Sequence, residues 1–139
     1  MSTLQRLRRF LLAILMIGMT GTAVELLLLQ HDEGPLQLVP LGLLGLGLVI
    51  ILWHAISPGR ASTAAARMVM VAFIAAGMAG VFFHFQANAE FQLESDPTLA
   101  GAALVWKILA AKVPPALAPG VMLQLGLLGL AYTYRNKEQ

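Results

Sequence analysis

Apolar residues in this chain gather into long runs at 10–30, 36–56, 68–89 and 116–134, separated by short polar breaks. Each run is close to the ~20 residues that a helix needs to cross ~30 Å of hydrocarbon. None alternates residue by residue as barrel strands do. In lipid every backbone N–H and C=O must pair internally, which leaves the helix as the form for unalternated runs. The pattern predicts an all-α integral membrane protein, one domain of four transmembrane helices over residues 1–139.

The connection at 90–115 breaks the pattern. Asp96, Pro97 and Thr98 read as a helix start, with proline at the first helical position. Residues 99–113 are apolar around Trp106, Lys107 and Lys112 but too short to span. They predict an interfacial helix on the outer face. Pro114 and Pro115 end it.

Composition supports the bilayer as solvent. The chain is 58% hydrophobic and 12% charged, against about 25% charge in soluble domains. With no cysteine, disulfides, thiolate metal sites and iron–sulfur clusters are excluded. No basic, aromatic-studded face suggests nucleic acid as a partner. The first run follows Arg6, Arg8 and Arg9, but its apolar stretch continues through 26–29, longer than a signal peptide's.

Placement of charge sets the orientation. Arg6, Arg8, Arg9, Arg60, Arg67, Arg135 and Lys137 fall on one side, and Lys107 and Lys112 on the other. The positive-inside rule puts both termini in the cytoplasm. A bacterial inner membrane is the expected location. The outer side then collects His31, Asp32, Glu33, Glu90, Glu94 and Asp96.

Two phrases recur. LGLLGL stands at 41–46 and at 125–130, following Pro35 and Pro119 at equal distance. GMTG at 18–21 matches GMAG at 77–80, an offset of 59 that also pairs Arg8 with Arg67, Ala13 with Ala72 and Glu25 with His84. A duplicated helical hairpin would produce this, with halves related about the membrane normal. Whether or not duplication occurred, Gly18, Gly21, Gly77 and Gly80 let helix backbones approach closely.

Candidate chemistry centres on Glu25. A carboxylate within a span costs roughly 2.5–3.5 kcal/mol at mid-bilayer, so it is protonated, paired or beside water. His84 is its candidate partner as metal ligand or proton relay, with Asn88 one turn on and Gln124 on the fourth span. Together they would form an outward-facing polar pocket for a proton or cation. The bland alternative has His84 bonded to a neighbouring helix among Phe82, Phe83 and Phe85. His31, Asp32, Glu33, Glu90 and Glu94 are hard donors that suit a divalent metal ion or a solvated acidic rim. Glu90 and Glu94 share a face if the third helix continues past the membrane. His54, beside Trp53, reads as an interface residue at the inner end.

Nucleophilic catalysis is not indicated. Ser2, Ser57, Ser62 and Ser95 fall in tails or loops and outside any nucleophile motif. A metalloenzyme using Glu25 and His84 stays open. In size, four spans and an acidic residue in the first, the chain resembles the small multidrug resistance transporters. That family has its carboxylate near mid-membrane, short loops and a dimerising fourth helix. Here Glu25 is displaced outward and the outer connection is long, so membership is not inferred. Two functions are expected: proton or cation handling in a homo-oligomer, or a non-catalytic accessory or scaffold role in a larger membrane complex.

Overall fold

The computed structural model describes residues 1–30 and 34–134. The helices are α1 Thr3–Leu28, α2 Pro35–Ile56, α3 Arg60–Ser95, α4 Gly101–Leu109 and α5 Gly120–Tyr132. Helices α1, α2 and α3 are long and apolar enough to cross a membrane. Only 11%, 17% and 22% of their most apolar stretches is buried, so most of their hydrophobic surface calls for an apolar solvent.

The ends of these helices follow from local chemistry. Ser2 opens α1 with a capping box, its hydroxyl accepting from Gln5 N–H while Gln5 Oε1 accepts from Ser2 N–H. Arg6, Arg8 and Arg9 are therefore helical. Gln30, at φ 53°, turns the chain out of α1 in a left-handed conformation. Pro35 begins α2, where its missing N–H has no partner to lose. Gly59 opens α3, and Ser62 Oγ accepts from its N–H.

Helices α1, α2, α3 and α5 form a ring, with contacts α1–α2, α2–α3, α3–α5 and α5–α1. At its centre Leu15, Met19, Leu44, Ile51, Met70 and Phe73 are completely buried. Glycines set the spacing. A Cβ on Gly77 would lie 2.6 Å from the backbone nitrogen of Leu123, and one on Gly126 would lie 2.6 Å from the Met70 carbonyl oxygen. Thus α3 and α5 meet backbone to backbone. Gly80 closes on Pro119, Gly18 on Leu125 and Gly47 on Phe73. The two LGLLGL phrases differ in surroundings: Gly126 and Gly129 are packed on α3, whereas Gly42 and Gly45 have nothing within 4 Å.

Besides the early start of α1, three boundaries differ from the sequence expectation. Helix α3 has 36 residues, about 54 Å, and so extends about 24 Å beyond a 30 Å hydrocarbon layer. The expected helix start at Asp96 is instead a turn: Asp96 Oδ1 accepts from Thr98 N–H at 3.1 Å and from Thr98 Oγ1 at 2.6 Å. Gly101, at φ +57°, then redirects the chain into α4, which packs back on α3. Helix α5 starts at Gly120, later than the apolar run does. Pro114, Pro115 and Pro119 have no N–H to give to a helical ladder, and the chain there proceeds through short-range turns, Ala118 to Pro115 and Gly120 to Leu117.

Candidate functional site

Polar side chains in the second half of α3 converge on the loop before α5. Asn88 is 2% exposed, and its Nδ2 donates to the Pro114 carbonyl at 2.8 Å. One turn earlier, His84 Nδ1 lies 2.9 Å from the Pro115 carbonyl oxygen. The carbonyl has no hydrogen, so Nδ1 carries the proton. His84 and Asn88 are thus brought together, and both hold a segment whose prolines offer acceptors but no donors.

The other expected site residues lie elsewhere. Glu25 is exposed on α1, and no hydrogen bond or ion pair joins it to His84 among the described residues. Gln124 is exposed on α5. Glu90 and Glu94 do fall on one helix, since α3 runs to Ser95, and Gln86 Nε2 donates to Glu90 at 3.1 Å. His31, Asp32 and Glu33 lie outside the described residues. Among the described residues no three His, Asp or Glu side chains gather in a metal-binding arrangement. Asp96, beyond the end of α3, has its carboxyl held below the usual range by the Thr98 side-chain hydrogen bond and then by the Thr98 backbone one.

At the opposite end the structure assembles a cluster that the sequence reading missed. His54, expected at the surface, is 4% exposed, while its neighbour Trp53 is 45% exposed. Helical period explains the split: His54 continues the buried stripe of Leu44, Gly47 and Ile51 on α2. His54 Nδ1 lies 3.2 Å from Ser62 Oγ. Ser62 was expected in a loop but occupies the first turn of α3, because the helix begins eight residues before the apolar run. Its hydroxyl hydrogen goes to the Ser57 or Gly59 carbonyl, at 2.9 and 3.2 Å. The same oxygen is thus shared between the His54 ring and the backbone of the turn.

Tyr132 completes the cluster from α5. Its ring meets His54 edge-on at 5.7 Å, and the Arg8 guanidinium stands 5.9 Å above its centre. Nearby, Arg67 donates to the Thr133 carbonyl at 2.9 Å, placing a cation on the C-terminal end of α5. Arg8, Arg9, His54, Thr63 and Tyr132 line a half-open cleft of about 1800 Å³. Leu7, Leu11, Leu12 and Leu130 form its apolar wall. Among the described residues every arginine lies toward this end, while Glu90, Glu94 and Asp96 lie at the other end of α3, beside Lys107 and Lys112.

No family model, curated protein or solved structure matches the chain.

Proposed function

We propose that this is a small polytopic membrane protein that works by association, as a non-catalytic accessory subunit of a larger membrane complex. One observation carries the reading: the middle of the ring is filled by completely buried Leu15, Met19, Leu44, Met70 and Phe73. A single copy thus offers an ion no polar path through its centre. Outer polar groups that would serve a site, His84 and Asn88, are engaged in holding the loop.

In this reading the chain crosses the bilayer four times with its basic end in the cytoplasm. Helix α5 covers about 20 Å, and the turns from Pro115 to Gly120 extend its path toward the outer face. Helix α4, with Trp106 exposed, lies at the outer interface. Docking uses faces left open by the chain's own packing, where Gly21, Gly42 and Gly45 meet no neighbour. Replacing Gly42 or Gly45 by leucine then reduces the mass of the assembly recovered in lipid discs while the thermal midpoint of the isolated chain holds. An unchanged assembly mass sinks the reading.

Glu25 favours a second reading. Its exposed carboxylate has no bonded partner among the described residues, and a lipid-facing carboxylate is costly. In a homo-oligomer another copy would supply the partner, and Glu25, assisted by His84, would bind a proton or cation. Loss of proton or cation flux in Glu25→Gln proteoliposomes, with assembly intact, would replace the first reading by this one.

A further inference from the structure

We propose that the cleft at the basic end is a binding site for one anionic phospholipid, headgroup on Arg8 and Arg9 and acyl chain along the Leu7 and Leu11 wall. The inference rests on the membrane reading above and adds a ligand to it. Three observations converge. The cleft, at about 1800 Å³, exceeds the 300–1,000 Å³ that small polar or drug-sized ligands fill. Its lining divides by chemistry into arginines and leucines, which matches an anionic head joined to a hydrocarbon tail. It also lies where the basic ends of the helices meet the headgroup layer, the setting in which basic pockets between spans hold acidic lipids.

Charge favours an anion specifically. Among the described residues that line the cleft, Arg8 and Arg9 are accompanied by no Asp or Glu. Arg8 is fixed over the Tyr132 ring, and that ring is steadied by the edge of His54. His54 is in turn held by Ser62. One cation of the lining is therefore oriented before any ligand arrives, which lowers the ordering cost of binding. An inorganic phosphate would use the arginines alone and leave the leucines uncovered.

The test is native mass spectrometry of the full chain released from discs containing equal phosphatidylglycerol and phosphatidylcholine. One phosphatidylglycerol should stay bound in preference to phosphatidylcholine. Arg9→Gln, at an exposed position with no side-chain hydrogen bond among the described residues, should weaken retention about fivefold. Arg8→Gln should weaken it at least as much, and Arg60→Gln, exposed at the same end but outside the cleft, should leave it unchanged. Equal retention of both lipids overturns the proposal, as does a preference that survives Arg9→Gln. Competition by inorganic phosphate at equal concentration overturns the lipid assignment in favour of a soluble anion. Failure of the membrane reading itself would be visible separately, as a chain that does not fractionate with membranes.

Discussion

Ser62 Oγ lies 3.2 Å from His54 Nδ1 and joins α3 to α2 across the turn at 57–59. The same oxygen accepts from Gly59 N–H and donates to a carbonyl of that turn. One hydroxyl thus joins a buried histidine to the path of a helical hairpin.

Ser62→Ala removes this hub, leaving Gly59 N–H without its acceptor and His54 Nδ1 without its Ser62 contact. A buried donor left unpaired costs about 1–3 kcal/mol. Thermal unfolding of the chain in detergent micelles should show a lowered midpoint. An unaltered midpoint would mean that the hydroxyl is dispensable.

Asn88→Leu preserves bulk but orphans the Pro114 carbonyl. It should destabilise by about 1–3 kcal/mol and open the loop at 110–119 to protease. His84→Ala should act in the same direction, more weakly because His84 is half-buried. Since both residues restrain one loop, the double variant should depart from additivity. Limited proteolysis of the four proteins measures all three effects.

Glycine substitutions should divide by location. Gly77→Ala puts a carbon against the Leu123 backbone, and such overpacking costs about 1–3 kcal/mol. Gly42→Ala meets open space and should gain up to about 1 kcal/mol of helix propensity. Denaturation in mixed micelles distinguishes the two signs.

Acid should loosen the turn after α3. The Asp96 pKa is depressed in the folded chain, so its contribution is present above the unfolded value of about 3.9 and is lost as pH falls through the lower folded value. Protection of the Thr98 amide, its exchange rate relative to the intrinsic rate at the same pH, should fall over that range. Asp96→Ala should show low protection at every pH, and equal protection profiles for the two proteins would refute the turn's role.

Much of the helical architecture was legible because hydropathy dominates it: the runs at 10–30, 36–56 and 68–89 each lie largely within one long helix. Helix ends were less legible. Arg6, Arg8 and Arg9 extend α1 and Ser62 begins α3, because capping and propensity carry a helix past the edge of its apolar stretch. The bonding of His84 and Asn88 depended on a loop 26–31 residues away in sequence, a relation that no local pattern encodes. His54 was misplaced for a different reason. Its neighbour Trp53 suggested an interface, whereas the period of buried residues along α2 already placed it inward. Tyr132 and Arg8, at opposite ends of the chain, meet only through the ring closure of α1 on α5.

The length of α3 makes it a brace. Its hydrogen-bonded ladder continues from Arg60 to Ser95, and it is tied at three levels: to α2 through Ser62 and His54, to α5 at Gly77, and to the segment at 114–115 through His84 and Asn88. Helix α4 packs on the same rod, so a load applied at one end of the molecule is carried to the other with no joint between to absorb it.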